Sequence, residues 1–87
     1  MKRKVAFQID APGAKQVLVA GDFTNWESGA KRMPKKRGKK VVFSTSLMLS
    51  PGTYEYKFIV DGEWREDPAA ESRENLFGTR NSLITVT

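Results

Sequence analysis

Two tryptophans, a lysine and an asparagine are the side chains of this 87-residue sequence best suited to recognition chemistry. Trp26 follows Thr24-Asn25 and Trp64 follows Asp61-Gly62-Glu63, so each indole stands beside turn-forming residues. An aromatic just outside a strand end or on a hairpin rim is commonly only half buried. A flat indole face matches the apolar C–H face of a pyranose ring, and donors such as Lys57 and Asn81 can then reach the sugar hydroxyls. The pairing points to a sugar-binding surface. On these residues alone, an exposed aromatic pair suits a protein interface equally well.

Bond-making chemistry is much harder to assemble. The chain has neither cysteine nor histidine, which removes thiol nucleophiles, imidazole bases, disulfides and the commonest zinc ligands together. Glycoside hydrolysis needs two carboxylates opposed across a cleft, one of them with a raised pKa. Of the ten acids, Asp61, Glu63, Glu66 and Asp67 fall at turns, where solvation keeps a carboxylate ionised. Ser28, Ser44, Ser46 and Ser50 have no histidine to activate them, and a phosphate-cradling glycine loop is missing. No catalytic residue, metal site or cofactor is expected.

The charge is uneven. Fifteen Lys and Arg against ten Asp and Glu give +5, but Lys31, Arg32, Lys35, Lys36, Arg37, Lys39 and Lys40 supply seven of the cations. Outside that run the acids outnumber the bases, so the basicity is a local feature. The run contains Met33, Pro34 and Gly38 and reads as an exposed loop or irregular edge strand, its lysines protecting a sheet edge. Its functional reading is a contact with phosphate, on nucleic acid, a phosphorylated glucan or an acidic partner. No aromatic interrupts it, which weighs against nucleic acid, because single-strand binders combine charge with stacking platforms. Met1-Lys2-Arg3-Lys4 resembles the head of a signal peptide, but residues 5–11 are broken by Gln8 and Asp10 and too short for its apolar core. No segment approaches membrane-spanning length. A cytoplasmic protein with no membrane partner is the expectation.

The elements that must position these side chains read as strands within one domain, residues 1–87. Val5, Phe7 and Ile9 alternate; residues 17–20 form a second run ending at Gly21-Asp22 and Thr24-Asn25. A third run opens at Val41 and continues through Phe43, Thr45, Leu47 and Leu49 as one face. Ser50-Pro51-Gly52 is then expected to turn it back as a hairpin. In the returning strand Tyr54, Tyr56, Phe58 and Val60 share the core face, leaving Glu55, Lys57 and Ile59 on the other. Asp61-Gly62 is a two-residue hairpin signal, since both central positions of a type I′ turn need positive φ. Residues 68–75 are short and polar and read as a turn or a single helical turn, and Leu83-Ile84-Val86 as the last strand. About six to eight short strands make a small all-β antiparallel sandwich.

GDFTNW at 21–26, PGTYEYKFIVDGEW at 51–64, Asp67-Pro68 and NLFGTRNSLITV at 75–86 together resemble carbohydrate-binding module family 48. This is the glycogen-binding module of the AMP-activated protein kinase β subunit and of starch-branching and debranching enzymes. The match covers residues 17–86, with residues 5–9 fitting the first strand. The resemblance implies an immunoglobulin-like sandwich that binds α-1,4-linked glucans such as glycogen, starch fragments and cyclodextrins. It further implies that Trp26 and Trp64 are the stacking tryptophans, that Lys57 hydrogen-bonds a glucose hydroxyl, and that Thr79 and Asn81 bind the sugar. Phe77 stands where the kinase subunit has a leucine inserted against the glucan ring.

Each of these also has a plain structural reading: Trp64 packing on its hairpin, Thr79 stabilising a turn, Asn81 capping a loop. Gly21, Gly62 and Gly78 read as turn-permitting, and Phe43, Tyr56 and Phe58 as core. The module accompanies family 13 glycoside hydrolases, and in multidomain relatives it packs against its own catalytic or kinase domain. Docking on a glycogen-metabolising enzyme or kinase is therefore the alternative to glucan binding.

Overall fold

The alternation in the first strand is realised as β1 (Arg3–Asp10), whose Phe7 and Ile9 turn inward while Gln8 and Asp10 stay in solvent. A computed structural model of the chain describes every residue except Arg37, Lys39 and Lys40. After β1 come β2 (Val17–Gly21), β3 (Lys31–Arg32), β4 (Lys35–Lys36), β5 (Val42–Leu49), β6 (Gly52–Val60), β7 (Glu63–Arg65), β8 (Ser72–Glu74) and β9 (Arg80–Val86). They form a three-stranded sheet in the order β1-β5-β4 and a larger sheet in the order β3-β2-β6-β9-β8, with β7 pairing β6. Every pairing is antiparallel.

Phe7, Ile9, Phe43 and Leu49 of the small sheet meet Val17, Val19, Tyr56, Phe58 and Val60 of the large one in a single core. The protein is an all-β sandwich. Burying these faces against each other is the main source of its stability.

Several local expectations are corrected. Ser50-Pro51-Gly52 does not make a hairpin: β5 pairs β1 and β4, β6 pairs β2 and β9, and the turn carries the chain from one sheet to the other. Two consecutive strands with one apolar face each can bury those faces across the core as well as pair edge to edge, and here the long register of β1 with β5 decides between the two. Residues 68–75 hold a strand, β8, after a turn closed by Ala70 N–H to the Asp67 carbonyl. An exposed three-residue edge strand shows no alternation to read.

The basic run divides into β3 and β4, one on the edge of each sheet; its Arg37, Lys39 and Lys40 lie outside the described residues. Gly21 is extended (φ −173°) and turns nothing. A Cβ there would lie 2.5 Å from the Glu55 carbonyl oxygen and 2.8 Å from Tyr56 Cβ, so the close approach of β2 to β6 is what requires glycine.

The Asp61-Gly62 turn is as read: Val60 faces Glu63, and φ is +48° and +86° at the two central residues. The Asp61 carboxylate also accepts the backbone N–H groups of Lys15 and Gln16 at 2.9 and 2.8 Å, tying the hairpin to the entry of β2. Among the described residues no helix is long and apolar enough to cross a membrane.

Candidate functional site

The outer face of the large sheet carries the residues singled out above. Alternation along β6 turns Glu55, Lys57 and Ile59 away from the core, and β7 folds back so that Trp64 lies opposite Ile59. Trp26 reaches the same face by a sharper route. Two 3₁₀ turns, Asp22–Thr24 and Trp26–Gly29, follow β2 directly. The buried Thr24 hydroxyl accepts the Gly21 N–H at 3.0 Å and donates to the Trp26 carbonyl at 2.8 Å. The Asp22 carboxylate accepts the Glu55 N–H at 2.9 Å, pinning these turns to β6.

Asn25 and Trp26 both have φ +57°. Asparagine tolerates this conformation, but a bulky side chain adopts it only where surrounding contacts impose it, at a cost of about 1–3 kcal/mol. Such strain is typical of a site that needs a side chain in one place. Its result is that the Trp26 and Trp64 rings stand 6.5 Å apart with their planes tilted by 49°. Trp64 is 43% exposed.

Beside the indoles lies a polar floor. Lys57, on the outward face as expected but only 9% exposed, donates to Thr79 Oγ1 at 3.1 Å. The Asn75 amide nitrogen donates to the same hydroxyl at 2.7 Å and to Asn81 Oδ1 at 3.0 Å. The Asn81 amide in turn donates to Glu55 Oε1 at 3.0 Å, and Glu55 pairs with Arg73 at 3.6 Å. The Thr79 hydroxyl oxygen thus accepts two donors, Lys57 and Asn75.

Asn75 also shapes the connection between β8 and β9: its Oδ1 accepts the N–H groups of Phe77 (2.9 Å) and Thr79 (3.2 Å), and its N–H donates to the Thr79 carbonyl (2.8 Å). Gly78 supplies the positive φ, +80°, that closes the loop. Held there, Phe77 is 90% and Leu76 100% exposed.

Trp26, Lys57, Trp64, Phe77, Thr79 and Asn81, scattered over fifty-six positions of sequence, all line one open groove of about 890 Å³. The Asn81 side chain bonds Asn75, which shapes the β8–β9 loop, and Glu55, using one of its two amide hydrogens and one of its two lone pairs. Sequence reading missed Asn75, Glu55 and Leu76, which also line the groove. The signal available for Asn75 was an asparagine three residues before a glycine, the mark of a side chain that bonds its own turn.

The family described as the glycogen recognition site of AMP-activated protein kinase matches residues 4–87. Among curated proteins, FLOURY ENDOSPERM 6, chloroplastic, of Oryza sativa subsp. japonica is 47% identical over 74 residues, 85% of this chain and 13% of that protein. PTST homolog 2, chloroplastic, of Arabidopsis thaliana is 49% identical over 55 residues, 63% of this chain and 10% of that protein. The AMP-activated protein kinase subunit beta-1 of Sus scrofa is 36% identical over 74 residues, 85% of this chain and 57% of that sequence. The chain thus spans between about a tenth and just over half the length of these relatives.

The rice and Arabidopsis proteins are chloroplastic, which overturns the cytoplasmic expectation. That expectation was read from the first residues of this chain, and an address carried elsewhere in much longer proteins is not visible there. With the all-β sandwich and the match over residues 4–87 in agreement, the chain belongs to the carbohydrate-binding family of the glycogen recognition site of AMP-activated protein kinase.

Proposed function

We propose that the groove binds α-1,4-linked glucan, such as glycogen, starch fragments or maltooligosaccharides, without catalysis. The observation that carries this reading is the tilted Trp26–Trp64 pair, 6.5 Å between centroids, beside the hydrogen-bonded floor of Lys57, Thr79, Asn75 and Asn81. The two indoles stack on neighbouring glucose rings, and their 49° tilt suits a curved chain better than a flat ribbon. Lys57, Thr79 and Asn81 read hydroxyls, and Phe77 packs on the open edge of the sugar chain. Preorganisation supports the assignment, because a floor already bonded in the free protein orders few side chains when ligand arrives.

Among the described residues the groove carboxylates are not arranged as a hydrolytic pair: Glu55 is committed to Asn81 and Arg73, while Glu27 and Glu74 are exposed on the groove rim. An open site that exchanges water for sugar hydroxyls gains modest affinity, in the micromolar to millimolar range or roughly −8 to −4 kcal/mol.

Titration with maltoheptaose and β-cyclodextrin, followed by tryptophan fluorescence with cellohexaose as control, tests the reading. Saturable quenching by the α-glucans alone is expected. Trp64→Ala, at a half-exposed position, is expected to stay folded and lose at least about tenfold in affinity, as removal of a central aromatic anchor usually does. A folded protein that ignores millimolar α-glucan, or a Trp64→Ala variant that binds like the parent, would overturn it. Docking on an enzyme or kinase of glucan metabolism would then take its place.

A further inference from the structure

The basic segment is held more firmly than a loop whose only task is solubility. Met33, 1% exposed, is sunk between the sheets, and on either side of it the backbone is clamped by Met33 N–H to the Val17 carbonyl (2.9 Å) and Ser44 N–H to the Pro34 carbonyl (3.0 Å). This fixes Lys31 and Arg32 on the edge of the large sheet and Lys35 and Lys36 on the edge of the small one, all four exposed. Lys31 pairs with Val19 and Lys35 with Phe43, both core residues, so the two lysines stand on the facing sides of their sheets at the open edge of the sandwich.

Few carboxylates lie near them: Glu27 stands four residues before Lys31, and Asp10 shares the cross-strand row of Lys36 through Val42. The neighbouring strands β2 and β5 contain no carboxylate, and among the described residues the ion pairs, Arg65–Glu63 and Arg73–Glu55, lie elsewhere. Edge protection explains an inward lysine. It does not explain four fixed cations that, among the described residues, form no ion pair, and whose mutual repulsion a bound anion would relieve.

The register also joins this edge to the groove. Arg32 pairs with Leu18, Leu18 with Ile59 and Ile59 with Trp64, a single cross-strand row on the outer face. Three strand spacings, roughly 14 Å, separate its ends. The groove itself carries Glu27, Glu55 and Glu74 against Lys57 and the Arg73 paired with Glu55, so the negative charge in excess there favours a phosphate at the basic edge instead. We propose that this edge, through Lys31, Arg32 and Lys35, forms a second subsite that takes phosphate esters on the glucan held by the tryptophans; Lys36, next to the inward Lys35, faces the outer side of the small sheet. Among the described residues no exposed aromatic lies on β3, β4 or the strands they pair with to stack a base, which sets nucleic acid behind this ligand. The inference rests on the glucan reading of the groove.

The test compares one phosphorylated maltodextrin before and after phosphatase treatment. It uses the parent and a variant carrying Lys31→Gln, Arg32→Gln and Lys35→Gln, with Lys31→Gln/Arg32→Gln as a milder companion. The parent is expected to prefer the phosphorylated form by about three- to tenfold, the yield of a few exposed ion pairs, and to lose that preference at high salt. The variants are expected to lose the preference while binding neutral maltoheptaose as the parent does. Equal affinity for the two maltodextrins, a preference that survives in the folded variants, or tighter binding of single-stranded DNA or poly-aspartate would overturn the subsite alone. Failure to bind neutral maltoheptaose at all would overturn the glucan reading, and the subsite with it.

Discussion

Asn75 is the residue on which the groove turns. One amide group holds the backbone of the exposed β8–β9 loop through its oxygen and the side chains of Thr79 and Asn81 through its nitrogen. The two duties can be separated by substitution. Asn75→Asp keeps the acceptor for the Phe77 and Thr79 N–H groups but loses both donations. It is expected to leave hydrogen exchange at those amides slow while weakening maltoheptaose binding about tenfold, the scale of one or two lost hydrogen bonds. Asn75→Ala is expected to weaken binding and speed exchange together. Unchanged affinity in both variants would remove Asn75 from the site. Lys57 and Trp64 were readable from sequence because strand alternation and a turn signal fix their surroundings. Asn75 was not, since its importance lies in partners up to six residues away that only a closed loop brings within 3 Å.

At the level of the element, β6 does most of the organising. Its inward face supplies Tyr56, Phe58 and Val60 to the core while its outward face supplies Lys57 to the groove. Tyr56 also ties β6 to the turn before β8: its hydroxyl donates to Asp67 Oδ2 at 2.7 Å, and the Asp67 N–H donates to Ser82 Oγ at 2.7 Å. Burial, then the hydrogen bond to Asp67 and the charge of its carboxylate, push the phenol far above its ordinary value of 10.0. The folded state therefore keeps this proton where the unfolded chain releases it. The resulting stability is complete below pH 10.0 and is lost as the pH climbs beyond it. Tyr56→Phe is expected to cost about 1–3 kcal/mol at neutral pH, because Asp67 loses its partner, and to show a shallower alkaline decline than the parent. Urea unfolding of both proteins across the alkaline range checks the sign. A steeper decline in the variant would contradict it. The same scale shows why the hairpin expected at Ser50-Pro51-Gly52 failed: a tight turn between two amphipathic runs specifies a reversal of direction, not whether the partners share a sheet.

For the molecule as a whole, the groove and the basic edge stand at different places on one rigid sandwich, and Met33 is what closes the second. Met33→Ala opens a cavity between the sheets and is expected to cost about 2–4 kcal/mol in urea unfolding. Maltoheptaose affinity of the folded fraction is expected to remain that of the parent, because no groove residue lies on β3 or β4, the strands flanking Met33. A large loss of affinity would mean that the edge and the groove are coupled through β2. By itself the sequence determined what short-range physics decides: strands from alternation, the Asp61-Gly62 turn from its conformational demand and the core from its aromatics, while its motifs carried the resemblance to a carbohydrate-binding family. Tertiary structure alone decided which strands share a sheet and where β8 pairs. It also decided that Gly21 answers to crowding and that Lys31–Arg32 and Lys35–Lys36 edge different sheets. Those outcomes depend on contacts between residues far apart in the chain, whose energies no local pattern records.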